Sequence, residues 1–374
     1  MKKADIYTII ERLEEIEDPR RSWGNKRHLL VDILFITLCA IASGMSEIDE
    51  IIIFAKERKE WLKKYISLKG GIPSYSTFER VYRMLTPKAM RIFYESWVMA
   101  IRPEGENKQV CIDGKSIRGA GAAQKINMVS AWMHEEGLCL GQLRTDKKSN
   151  EITAIPELLE MLDISHCVVS IDAIGCQTEI SEKIVAKNGD YVLAVKENQP
   201  TLMDDIKEYF NWIDREKPRN IVCDHWIGGF EKNHGRIEQR KVSVCTSLDF
   251  PEMTSRWKNL RSIVRYECSR EIKQVKTVCT RYYISSLNVS AEVMASYLRG
   301  HWSIENQLHW LLDVALKEDA SLIRTDHAPE NFNVLRKVVL NLLRNTPTDK
   351  KTSIKGKMLR ASMNTDFLEL VLFG

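Results

Sequence analysis

Apolar positions recur at helical spacing through the first hundred residues. Ile6, Ile9, Ile10 and Leu13 make one stripe, and Ile51 to Tyr65 is a charged amphipathic segment. Between them, Leu29 to Met45 is apolar except where Asp32, Thr37 and Ser43 interrupt it. Its longest apolar run falls short of the ~20 residues that span lipid, so it predicts a buried helix. No strand pattern intervenes, and residues 1–100 read as an all-α N-terminal domain. Gly70-Gly71-Ile72-Pro73 breaks the chain. Ser76 with Glu79 then predicts a capping box ahead of Phe78, Val81, Tyr82 and Leu85, and Pro87 ends that helix. Two short helices about a tight break suit a DNA-reading helix-turn-helix and equally an ordinary small bundle.

From about residue 106 the texture changes to short β-type runs at 109–113, 126–133 and 138–143, separated by Gly-rich or charged turns. A helical pattern (Ile155, Leu158, Leu159, Leu162) leads to the apolar run 167–171. A helix over 179–187 and an Asn-Gly turn then lead to a second apolar run, 191–195. The order βββ-α-β-α-β predicts an α/β mixed sheet with helices on both faces. A helix over 202–213 and strands at 240–245, 262–268 and 276–285 make 201–289 a β-rich insertion. Helices over 292–316 and 331–343 precede a C-terminal tail at 346–374, basic from Lys350 to Arg360.

Composition changes this picture little. The 374 residues carry a net charge of +4, too small to argue for nucleic acid by itself, but residues 220–281 hold twelve basic against seven acidic side chains. Such a platform suits a phosphate backbone as well as plain solvation. Nine scattered cysteines, never spaced C-x-x-C, indicate neither a disulfide framework nor a zinc knuckle. The charged start, with no apolar leader, points to the cytoplasm.

Asp113 and Asp172 each follow an apolar strand directly, where α/β sheets place ligands and where a carboxylate needs a compensating cation or hydrogen bonds. A third acid is needed if the site is to hold two divalent ions. Glu305 is the candidate. Tyr297, His301, Glu305 and His309 recur every four residues, so one continuous helix would aim them together at the strand ends. Lys115 and Arg118 after Asp113, Lys196 after the 191–195 strand, His234, Arg236 and Arg240 along one strand face, and Arg299, His301 and His309 on the late helix are candidate phosphate contacts. Glu238 is better suited to pair with those arginines than with a metal.

The ordered segments Ile112-Asp113-Gly-Lys-Ser-Ile-Arg-Gly, Ser-Ile-Asp172-Ala, Lys196-Glu-Asn-Gln, His234-Gly-Arg-Ile-Glu-Gln-Arg and His301-Trp-Ser-Ile-Glu305-Asn-Gln-Leu-His resemble the H-repeat-associated transposases, insertion-sequence enzymes of the DDE class, from about residue 10 to the C-terminus. The resemblance implies a ribonuclease-H-like, retroviral-integrase-like core over 106–200 and 290–345, interrupted by the β-rich insertion. It assigns Asp113, Asp172 and Glu305 as catalytic and metal-binding, at D-x58-D-x132-E spacing. It further implies two Mg2+ or Mn2+ ions per site, cleavage of insertion-sequence ends and strand transfer into double-stranded target DNA. The implied assembly is a homodimer on DNA, nucleoid-associated and without membrane contact. The wider group often carries a Tyr/Arg/Glu/Lys pattern around its glutamate; here His301 stands where the Arg would fall and Leu312 where the Lys would. A catalytically inactive DNA-binding relic and a ribonuclease-H-type nuclease are the rival readings.

Overall fold

A computed structural model describes residues 6–21, 26–102, 107–117, 126–145, 151–219, 221–233, 235–248 and 251–374. Among the described residues six helices precede any strand, as the apolar spacing predicts: α1 (Ile6–Glu14), α2 (Leu30–Ala42), α3 (Ile48–Glu57), α4 (Lys59–Leu62), α5 (Tyr75–Met84) and α6 (Pro87–Ile101). Every residue of α2 but Val31 is buried, the fate of a helix apolar all round. Ser76 and Glu79 form no capping box, because α5 already starts at Tyr75. Reciprocal capping occurs at α3 instead, where Glu50 accepts from the backbone N–H groups of Ser46 and Glu47. Pro87 opens α6 rather than closing α5, because its missing N–H costs nothing in a first turn. The inner face of α5 is spent on packing. Tyr82 lies 4.5 Å from the Phe332 ring, and the Asn331 amide donates to the carbonyls of Tyr82 and Leu85.

The meander is β1 (Gln109–Ile117), β2 (Ile126–Met133) and β3 (Leu138–Thr145). Through α7 (Glu151–Met161) and α8 (Thr178–Ala186) the chain then lays β4 (Val168–Ile171) parallel to β1 and β5 (Asp190–Val195) parallel to β4. After α9 (Pro200–Glu216) come β6 (Cys223–Ile227), β7 (Glu231–Asn233), β8 (Arg236–Cys245), α10 (Pro251–Arg256), β9 (Ser262–Ile272) and β10 (Val275–Ser285). The β-rich stretch does not stand apart: β10 pairs antiparallel with β5 over Tyr282–Ser285, so all ten strands described form one mixed sheet. Its order is β3-β2-β1-β4-β5-β10-β9-β8-β6, with β7 on β8.

The late helices are α11 (Ala291–His301), α12 (Trp310–Val314), α13 (Ala328–Asn345), α14 (Ile354–Met363) and α15 (Thr365–Phe373). On one face of the sheet α11 packs Met294 and Leu298 with Val168 and Val192; on the other, Val169, Tyr191 and Leu193 join Ile155, Ile180 and Ile184 of α7 and α8. Strand parity thus separates the two cores. The segment after 346 is no open tail. Phe367, Leu368, Val371 and Leu372 are buried, the Phe373 ring lies 5.2 Å from that of Tyr65, and Lys357 Nζ donates to the carbonyls of Leu343 and Thr346 at 2.7 Å. Its apolar helix faces outweigh its lysines. Cys223 and Cys245, opposite each other in the β6–β8 register, are disulfide-bonded, a pairing their spacing does not predict. Among the described residues no helix is long and apolar enough to cross a membrane.

Candidate active site

Asp113 lies inside β1 rather than after it. The parallel ladder to β4 runs only from Gln109 to Ile112, so at Asp113 the strand loses that neighbour and keeps β2 alone. Asp172 is the first residue past β4. Its Oδ1 accepts from the Ile174 N–H at 3.1 Å, capping a one-turn 3-10 helix over Ala173–Gly175. The parting of two parallel strands opens the crevice into which both carboxylates face.

The helix expected over 292–316 is not continuous. After α11 ends, Ile304–His309 winds as a π-helix before α12 resumes the α form. Such i→i+5 turns are rare and gather at functional sites. The wider turn leaves Glu305 exposed between buried Ile304 and Leu308. Asp113, Asp172 and Glu305 nevertheless line one pocket of about 460 Å³, together with Lys196, Arg281, His301 and Trp302. Residues separated by almost two hundred positions meet there because α11 crosses β1. Gln109 Nε2 donates to Ser170 Oγ and to the Tyr297 carbonyl at 2.8 and 2.7 Å.

Electrostatics mark this crevice. Burial, then the charge of Asp172, with Glu151 and Glu305 adding to it, pushes the Asp113 carboxyl up to about 7 despite the Gly114 N–H at 2.9 Å. His301 Nδ1 is 3.0 Å from Ser170 Oγ, and burial lowers the ring to about 4. His309 Nδ1 is 3.6 Å from Asp113 Oδ2. Burial, aided by the charges of Lys337 and Lys115, still lowers it to about 3. Both imidazoles are therefore neutral; His301 lines the acidic pocket, whereas His309 is buried against Asp113 and does not present the surface phosphate contact expected of it.

Among the described residues no three His, Cys, Asp or Glu side chains stand in an arrangement that holds a metal ion as placed. The donor chemistry still fits one: hard oxygens only, from three carboxylates on one pocket, with mutual repulsion that a divalent cation would relieve.

The remaining candidates divide. Lys196 lines the acidic pocket. Lys115 does not face solvent; its ammonium is held by Asp313 and by Glu318 at 2.6 Å. Arg236, Arg240 and Arg299 line an adjoining groove, the first two paired with Glu238 as their strand parity suggests. Arg118 and His234 lie outside the described residues. Three residues escape the sequence reading. Glu151, at the start of α7, has its carboxylate where a Cβ on Gly114 would fall. An acid in a first helical turn is too common to signal a site. Arg281 lies 4.9 Å over the Trp302 ring at the pocket wall, a pair joined only by tertiary contact.

Comparison with known proteins accounts for both regions of the chain. Residues 104–342 match the family model described as Transposase DDE domain, and residues 10–98 match the model described as DDE_Tnp_1-associated. The chain is 39% identical to "Putative transposase YncI" of Escherichia coli O157:H7, across 98% of this chain and 95% of that one. It is 36% identical to "H repeat-associated putative transposase YhhI" of Escherichia coli K12, across 99% of each. A shorter relative, "Inactive transposase YbfQ" of the same strain, is 32% identical over 21% of this chain.

Proposed function

The chain belongs to the family of transposases with a DDE domain, and from that premise we propose that it cleaves the ends of an insertion sequence and joins them to target DNA. The observation that carries this reading is the convergence of Asp113, Asp172 and Glu305 on one pocket. Strand order β3-β2-β1-β4-β5, in which β2 alone runs against the other four, supports a ribonuclease-H-like core.

Asp113, Asp172 and Glu305 would hold Mg2+ or Mn2+, which when bound supplies Lewis-acid stabilisation of the transferring phosphoryl group. The protein contributes position and charge. Lys196 offers an ammonium to a phosphate oxygen at the pocket wall, and neutral His301 and His309 add no competing cation beneath the acids. In the first step a water oxygen attacks the phosphorus and the 3′-oxygen leaves carrying a proton. In the second that 3′-hydroxyl attacks a target phosphodiester and the target strand's own 3′-oxygen leaves carrying the hydroxyl's proton, so one P–O bond forms as another breaks. Joining two ends calls for two copies of the chain on DNA.

Asp172→Asn and Glu305→Gln should each lower Mn2+-dependent nicking of an end-sequence duplex by ~10³-fold or more while duplex binding persists. Nicking retained by either variant, or cleavage without strand transfer, would overturn the assignment.

A further inference from the structure

Beside the acidic pocket runs a larger groove of about 980 Å³ between the β8–β9–β10 face and α11. Cys279, Arg281, Trp302 and Glu305 line both, so the groove opens directly onto the glutamate of the site. Its walls carry five arginines: Arg236, Arg240, Arg270, Arg281 and Arg299.

Four of these close on two glutamates that stand directly opposite each other in the β7–β8 register. Like charges so placed repel unless cations hold them apart. Glu238 takes Arg236, Arg240 and Arg270 at 3.2, 2.7 and 2.8 Å, and Glu231 takes Arg240 at 3.0 Å and both terminal guanidinium nitrogens of Arg299. The glutamates differ in one respect. The Glu238 side chain is 8% exposed and fixed in the sheet, whereas that of Glu231 is 39% exposed and sits on a three-residue strand after Gly228-Gly229.

We propose that this groove seats the phosphodiester backbone of one DNA strand as it approaches Glu305, and that Glu231 occupies a phosphate position until DNA displaces it. Glu238 stays as the anchor that orients Arg236, Arg240 and Arg270. The guanidinium fork receives carboxylate and phosphate in the same bidentate geometry, so the exchange preserves the hydrogen bonds of Arg240 and Arg299. It costs little, because ion pairs this exposed contribute little, and the released Glu231 returns to water. The inference rests on the transposase reading and adds to it a strand path with a built-in competitor.

The test is fluorescence anisotropy of the full-length chain with a labelled single strand of mixed sequence, titrated across a KCl series. Glu231→Gln should bind about 2- to 5-fold tighter. Arg270→Gln should weaken binding to all sequences and reduce the slope of log affinity against log salt by about 1. If Glu231→Gln, folded by its thermal melt, binds no tighter, Glu231 is a structural ion-pair partner only. If Arg270→Gln leaves affinity and slope unchanged, the groove is not the strand path. Both readouts are binding, so either failure leaves the roles of Asp113, Asp172 and Glu305 standing. Conversely, absent cleavage with these effects intact overturns the catalytic reading alone.

Discussion

Lys115 Nζ donates to the Glu318 carboxylate at 2.6 Å, joining β1, two residues beyond Asp113, to the turn that follows α12. Glu318 is fully buried and also accepts from the Asn333 amide. The bond fixes the strand of one acid to the helical segment of another. Breaking a buried pair leaves one charge uncompensated, so Lys115→Met should cost ~3–5 kcal/mol by urea unfolding. Lys115→Met combined with Glu318→Gln should show a coupling of ~1–3 kcal/mol; strictly additive losses would mean that the two do not act as a pair.

Gly300 lies where α11 crosses β1, and a Cβ there would overlap the Gln109 carboxamide and approach His134. Alanine normally improves a helix by ~1 kcal/mol over glycine. Here overpacking should win: Gly300→Ala is expected to lose a net ~1–2 kcal/mol and to reduce cleavage, since His301 is the next residue. A raised melting temperature would show that α11 has room to spare.

Acid should destabilise the metal-free protein through its two buried histidines. His301 and His309 titrate at about 4 and about 3 in the folded chain, against ~6.5 when unfolded. The unfolded state therefore binds more protons below pH ~6.5, and the stability present above that value is lost as pH falls toward 4. Asp113, raised to about 7 in the folded chain, takes up a proton over the same range and acts with the opposite sign, so the histidine effect is read in Asp113→Asn, where melting should drop on the order of 5 °C from pH 7 to pH 5. The drop should shrink in His309→Asn; an identical slope would acquit that residue.

Truncation at residue 363 should not behave as the removal of a loose tail. It strips α15 from the N-terminal helices, where the Phe373 ring lies 6.3 Å from that of Phe35 and 5.2 Å from that of Tyr65. Phe373→Ala, at a half-buried position, should already cost ~1–3 kcal/mol in chemical denaturation. A loss within error would show that the final helix is dispensable.

Local sequence determined a good deal of this protein. Apolar spacing of 3.6 marks the N-terminal helices, short apolar runs mark β1 to β5 in their order, and each aspartate stands at the end of its apolar run, because those patterns follow from which side chains a single element must bury. Only the tertiary structure decided where these elements stop. β1 continues to Ile117 because β2 extends its ladder past Asp113. The residues after 346 fold because Phe35 and Tyr65 offer them an apolar partner. The regular stripe through Glu305 becomes a π-helix, a departure from the α form that no periodicity signals. Lys115 is claimed by acids two hundred residues away, and the groove arginines by Glu231 and Glu238, because a charge settles on whichever opposite partner folding brings within reach.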